Sequence, residues 1–337
     1  MNISSPPHDH LLAMSTSIGT FEHAKYSVPR EELGFCVDDV ARVAVFIARE
    51  PESGHLVRLG RRSLTFLAHS LDEHGASCNR CSAQGEWHGP HTTEDCWGRL
   101  LWATGTTVAR STDAMSVEVA QEIFDRAILA RSPWPRATAF GVLGASDLLA
   151  VQPDHDAARD YLRDALAHLD RPVGGNGWVW PEQRLTYANA VLPEALLALG
   201  VTFDEPRVIE RAIEQLRWLL AHETIDGILV PTPAGGLGPD DYRPRFDQQP
   251  IEVAALADAC ARAYDVTRDD VFANGVSLAI RWFQGANSLS IPMFDPETGG
   301  GYDGLTALGP NWNQGAESTL ALLTTLQHSR VVVGVSR

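Results

Sequence analysis

Three places in the sequence could supply the two carboxyl groups that glycoside hydrolysis requires: the adjacent Asp38 and Asp39, Glu252, and Glu317. That chemistry takes one protonated carboxyl to assist the leaving oxygen and one carboxylate to act on the anomeric carbon or on water. Glu252 stands before Val253, Ala254, Ala255 and Leu256. An apolar setting of this kind desolvates a carboxyl and raises its pKa toward what a general acid needs. Glu252 is therefore cast as the acid, and Asp38 or Asp39 as the base that activates water. Only one of two adjacent aspartates is expected to face a cleft; the other would cap a helix or bond to Arg42. Plainer readings stand beside these: a buried ion pair for Glu252 and a capping box for the aspartates.

Groups suited to sugar hydroxyls and ring faces recur around these acids. Glu317, within Asn313–Gln314–Gly315–Ala316–Glu317, is first a hydroxyl acceptor and second an acid. Glu94 and Asp95 are similar, with Trp97 as a platform for a sugar ring. Arg136 could hold a hydroxyl or an acidic side chain, or form a structural ion pair. Trp180, Tyr187, Asn189, Gln249, Tyr302, Asn313 and Gln314 complete the expected substrate contacts. No cofactor is expected. Gly174–Gly175–Asn176–Gly177 follows no strand and opens no helix, so it is a turn rather than a phosphate cradle.

These residues need elements that bring them together, and the elements are helical. Amphipathic periodicity marks His55–Leu71, Ser116–Arg131, Asp156–Leu169, Glu205–Glu223 and Asp269–Phe283. Between them lie six Ala- and Leu-rich segments almost free of charge beyond their first turn. They are Val37–Ala48, Asp95–Gly105, Arg136–Ala150, Ala188–Leu199, Ile251–Tyr264 and Gly315–Leu326. A helix apolar all round is buried and an amphipathic one faces water. Six such alternations predict an all-α fold, an (α/α)6 barrel of helical hairpins with short β-hairpin loops at the cleft. Parallel inner helices would gather all six N-termini on one face. Capping alone favours Asp, Asn and Glu at such starts, but not the Trp, Tyr, Gln and Arg that accompany them.

Length and composition are consistent with this. The chain has 337 residues, 44% hydrophobic and 21% charged, which suits one globular domain over 1–337 with an ordered core of about 11–327. Lys+Arg 27 against Asp+Glu 43 gives a net charge of -16, which argues against nucleic acid or an anionic membrane as partner. Met1–His10 is polar and carries Pro6 and Pro7, so no signal peptide is expected, and the expected location is cytoplasmic. Cys78, Cys81, His88, His91 and Cys96 have a zinc-like spacing. The same stretch also suits a β-hairpin with free thiols, which is the preferred assignment, and no metal is expected.

Phe21–Glu22–His23–Ala24, Gly34–Phe35–Cys36–Val37–Asp38–Asp39–Val40–Ala41–Arg42, Glu94–Asp95–Cys96–Trp97–Gly98–Arg99 and Asn313–Gln314–Gly315–Ala316–Glu317–Ser318 carry a family resemblance. The chain resembles, from about Leu11 to Gln327, an (α/α)6 family of bacterial mannoside metabolism found beside or fused to glycosyltransferases and mannoside phosphorylases. Within it the chain looks most like the methylmannose-polysaccharide hydrolases. The resemblance implies an endo-acting α-1,4-mannanase on an intracellular polysaccharide, and it places His23 near the cleft. Where the family pattern often has Gln, this chain has Glu22. The expected chemistry is inverting hydrolysis, with the carboxyls about 6.5–9.5 Å apart rather than about 5–5.5 Å. The alternatives are a phosphorylase or an epimerase on the same barrel, or a non-catalytic carbohydrate-binding partner of a glycosyltransferase.

Overall fold

The computed structural model describes residues 6–51, 53–170 and 177–329; Gly174–Asn176 of the glycine-rich turn lie outside them. Twelve α-helices are found among the described residues: α1 Asp9–Ala13, α2 Val37–Arg49, α3 Gly54–Ser70, α4 Asp95–Arg110, α5 Ala114–Ala127 and α6 Pro135–Val151, then α7 Asp156–Leu169, α8 Val191–Phe203, α9 Pro206–His222, α10 Pro250–Thr267, α11 Asp270–Phe283 and α12 Ala316–Gln327. The even-numbered helices form a closed ring, each packed on the next and α12 back on α2. Outside them lie α3, α5, α7, α9 and α11. The fold is an (α/α)6 barrel.

Patterning explains which layer each helix joins. The ring helices are buried on nearly every side, as in α6 from Arg136 to Ala145. The outer helices bury one stripe, such as Ala158, Tyr161, Leu162 and Ala165 of α7. The sixth outer place is taken by α1, only five residues long, packed on α12. A separate apolar cluster of Leu11, Val43, Phe46, Leu59, Ala316, Leu320 and Leu323 seals that seam. Where α4 meets α6 the backbones touch. A Cβ at Gly98, Gly105 or Gly144 would run into a carbonyl of the opposing helix, so this approach requires glycine.

The two layers begin differently. Four outer helices are capped by a side chain, from Ser53, Asp113, His155 and Asp269. No ring helix has a side-chain cap from its own N-cap residue. The polar residues at the ring starts are therefore engaged elsewhere. Short antiparallel strands overlie these starts. Phe35–Cys36, Ser77–Cys81 and Trp87–Thr92 form a three-stranded sheet that leads into α2 and α4, and Gly304–Thr306 pairs with Gly309–Asn311 ahead of α12.

Candidate active site

At the N-terminal ends of the ring helices lies a cleft of about 520 Å³. Its ionisable lining comprises six carboxyl residues (Glu22, Asp38, Asp39, Asp95, Asp303 and Glu317), three arginines (Arg42, Arg80 and Arg99) and one histidine, His23. Cys36, Tyr187, Gln249, Asn311, Gly315 and Ser318 complete it. Five of the six ring-helix starts contribute; the Trp134–Arg136 start of α6 does not.

Asp38 and Asp39 both reach the cleft, contrary to the expectation of one, because they diverge to different partners. Asp38 accepts from the Asn79 amide at 2.9 Å, and its other oxygen lies 3.2 Å from Arg99 Nε without hydrogen-bond alignment. Asn79 also accepts from Val37 N, so a hairpin residue caps α2 and frees the aspartates. Asp39 is 2% exposed, held by Arg42 Nη1 at 2.5 Å and by the Cys36 thiol at 3.2 Å. Burial, opposed by Arg42 and reinforced by Glu317 and Glu22, raises its pKa to about 6. Arg42 extends its other amino group to Glu317 at 2.8 Å.

The remaining charges are paired across elements. Arg80, on the central strand, binds Glu22, whose second oxygen lies 3.5 Å from His23 Nε2. Tyr187 donates to Asp95 at 2.9 Å, and Asp303 accepts from Gly315 N and Ser318 Oγ. Arg42 and Arg99 also roof a small apolar pit walled by Trp102, Phe140 and Leu143, with Arg99 stacked 3.9 Å from the Phe140 ring centre. The two arginines form the cleft floor.

Glu252 lies outside the cleft lining. Its carboxyl sits behind the wall formed by Tyr187, Ala188 and Asn189 and accepts from Ala188 N, Asn189 N and Asn189 Nδ2. Burial, with Glu223 nearby, raises its pKa to about 7. It holds Ala188 in a left-handed conformation, φ 43°, which turns Tyr187 outward over the cleft. Among the described residues no arginine is hydrogen-bonded or ion-paired to Glu252; its partners are Ala188 and Asn189.

Several expected sugar contacts are structural instead. Trp97 is fully buried, donates to Ala127 O and packs on Tyr161. Trp180 is equally buried and stacks on Trp218. Arg136 grips Glu182 with both amino groups and bonds the Tyr187 and Asn189 oxygens, so it supports the wall from behind. Asn189 is spent between Arg136, Thr186 and Glu252. Gln314 is buried on Asp295 and Thr298. Glu94 is the exposed N-cap of α4, Tyr302 packs on Trp312, and Asn313 accepts from Tyr26 N at the rim. Of the expected contacts, His23, Asp95, Tyr187, Gln249 and Glu317 do line the cleft.

Arg80, Arg99, Asp303 and Asn311 also line the cleft, though none is among the substrate contacts expected from sequence. Arg99 has a usable signal, four residues after Asp95 on one helix face; Asp303 stands in the glycine-rich loop ahead of α12, where no periodicity gives its direction. Cys78, Cys81 and Cys96 are free thiols pointing at backbone carbonyls. Among the described residues the one convergence of three possible metal-ligand atoms is Glu22, Cys36 and Asp39, where Arg80 and Arg42 already occupy the carboxylates. No described helix is long and apolar enough to cross a membrane.

No family model matches the chain, and no curated protein matches it. Solved structures do. A sugar epimerase from a ruminal bacterium superposes with a TM-score of 0.73 at 11% identity, covering 95% of this chain and 94% of that one. Cellobiose 2-epimerase from Bacillus thermoamylovorans gives 0.70 at 11%, covering 95% of each chain. A cellulase of C. cellulolyticum gives 0.60 at 9%, covering 93% and 87%. At such identities the likeness is one of fold, the (α/α)6 barrel.

Proposed function

We propose that the protein is a glycoside hydrolase that cuts within chains of α-1,4-linked mannosides. The observation that carries hydrolysis is the ionisable lining of the cleft, where six carboxyls face three arginines and one histidine. Each arginine is already bound or ion-paired to a carboxylate of the same cleft. Such a lining disfavours the phosphate dianion that a phosphorylase must bind. It suits the positive charge that develops on a sugar ring as its glycosidic bond breaks. The mannoside, the endo action and the methylmannose polysaccharide as substrate rest on the motifs around His23, Asp38, Asp95 and Glu317.

Asp38 takes the role of the carboxylate that activates water, or that acts on the anomeric carbon if the configuration is retained. The acid is a carboxyl whose pKa is raised toward neutrality, and Asp39, raised to about 6 inside the cleft, keeps about one-tenth of its proton at pH 7 and more below it. Glu252, the acid expected from sequence, has an equally suitable pKa but must reach past Ala188 to touch a substrate. In the conformation described it positions Tyr187. Glu317 and Asp95 bind hydroxyls.

The similar epimerases raise a rival, proton removal from and return to a sugar carbon on the same barrel. That reaction needs a base to remove the proton and an acid to return it; His23 is the one imidazole in the lining, and the carboxylates beside it are general bases as well, so the products separate the two reactions. The test is incubation with methylated and unmethylated α-1,4-mannosides, with and without phosphate, with products read by mass and by proton NMR. Shorter chains released without phosphate are the expected result. A sugar phosphate, or a product of unchanged mass with an inverted carbon, would overturn it.

A further inference from the structure

Beside the cleft, and joined to it through Asn311, runs a second open groove of about 700 Å³. It is lined by the turn around Lys25 and Tyr26, by Arg30 and Glu32, and by the segment Pro310–Asn313. Two aromatic rings stand open here, Tyr26 at 61% and Trp312 at 49% exposure.

The Trp312 ring and the Tyr26 backbone are both held in place. Tyr26 has a left-handed backbone, φ 51°. Its N–H donates to Asn313 Oδ1 at 2.9 Å, and its carbonyl accepts from Gln314 N at 2.9 Å. Trp312 packs at 79° against Tyr302, ring centres 4.9 Å apart, and Asp303 N bridges the carbonyls of Asn311 and Asn313 on either side of it. A rigid aromatic costs little conformational entropy when a ligand settles on it. The two rings line one groove rather than standing singly on the surface, which is the arrangement that marks a ligand-binding groove.

We infer that this groove is a further binding site for the substrate chain, taking sugar residues that leave the cleft past Asn311, with Trp312 and Tyr26 as stacking platforms and the Asn311 and Asn313 amides for hydroxyls. The inference rests on the proposed action on oligosaccharides and makes the substrate a chain longer than the cleft alone would hold. The occupant is a neutral carbohydrate chain, since Arg30 is paired with Glu32 at 2.9 Å and the groove continues an acidic cleft. Lys25 contributes a donor.

The test is calorimetric titration of the whole protein with α-1,4-manno-oligosaccharides of two to eight units, alongside Trp312→Ala and Tyr26→Ala. Both positions are exposed, so folding is expected to survive, and far-UV circular dichroism with Tm checks it. Wild type should bind more tightly as length grows. Each variant should lose about ten-fold for the longer chains, the scale of an exposed aromatic anchor, and bind the disaccharide unchanged. Binding that improves with length equally in wild type and both variants overturns the groove while leaving the cleft's function standing. An equal loss at every length overturns it too, since the rings would then be part of the cleft. If wild type binds no mannoside of any length, the proposed function falls and this site with it.

Discussion

Arg42 Nη2 donates to Glu317 Oε2 at 2.8 Å and so ties α2 to α12 where the ring of helices closes. The same guanidinium holds Asp39 at 2.5 Å. One arginine thus joins a buried carboxyl to a half-buried one, and the protonation of Asp39 depends on what Glu317 does. Burial is the largest cause of the raised Asp39 pKa, Arg42 opposes it, and the Glu317 charge adds to it.

Glu317→Gln should therefore lower the Asp39 pKa twice over, by removing a like charge and by leaving Arg42 to Asp39 alone. An acid must be protonated to act, so activity should fall as pH rises through about 6, the Asp39 value in wild type. In Glu317→Gln that alkaline limb moves to lower pH. A pH profile of kcat/KM measures it, and a limb that stays in place in the variant dissociates Asp39 from the acid role.

The same group predicts a trend in stability. Its folded pKa, about 6, lies above the ordinary aspartate value of 3.8, so the folded protein holds this proton more tightly than the unfolded chain. The contribution is fully present below about 4 and is lost as pH rises through about 6. Asp39→Asn, which cannot ionise, should show a flatter Tm between pH 4 and 6.5 than wild type. Parallel Tm curves would mean that Asp39 stays ionised across this range.

Asp39→Asn and Glu252→Gln separate the two candidate acids. Asp39→Asn should lower kcat by about 10²–10⁴-fold with oligosaccharide binding kept, the range expected for loss of an acid. Glu252→Gln keeps an oxygen for Ala188 N but loses the full set of N–H partners, so it should loosen Tyr187 and cost about ten-fold or less. Complete loss of turnover in Glu252→Gln, with binding and Tm intact, would return the acid to Glu252.

Trp97 shows where sequence reasoning about the site ran out. Its segment, Glu94–Arg99, was correctly placed at the mouth of a ring helix, and Asp95 does face the cleft. Two residues on, a helix has turned by about 200°, which carries Trp97 to the opposite side, against Tyr161 of the outer layer; four residues on it has nearly returned, which brings Arg99 back. Helix starts were legible because burial imposes composition on a ring helix over many residues. The direction of each side chain needed the helix phase, and α1, five residues long, carried too little pattern to be seen as the sixth outer element. Trp97→Ala should accordingly cost about 3–5 kcal/mol of stability, the range for emptying a buried aromatic site. Trp97→Phe should leave oligosaccharide affinity unchanged, and a selective loss of affinity in that variant would restore Trp97 as a platform.

The contact between α4 and α6 sets the spacing of Arg99 and Arg136 across the cleft wall, and it can be tested through one glycine. Gly144 packs on Leu101 O, where a Cβ cannot fit without moving the helix. Alanine gains about 1 kcal/mol of helix propensity over glycine, whereas overpacking against backbone costs about 1–3 kcal/mol and more where neither side yields. The clash should win, lowering Tm by about 1–4 °C in Gly144→Ala, since a chain of this length shifts by only about 1–2 °C per kcal/mol. Gly235, with no atom near its would-be Cβ, is the control. Gly235→Ala should leave Tm unchanged or raise it slightly by restricting the unfolded chain. Equal Tm values for the two variants would mean that α4 and α6 do not approach this closely, and that the cleft floor held by Arg99 is wider than described.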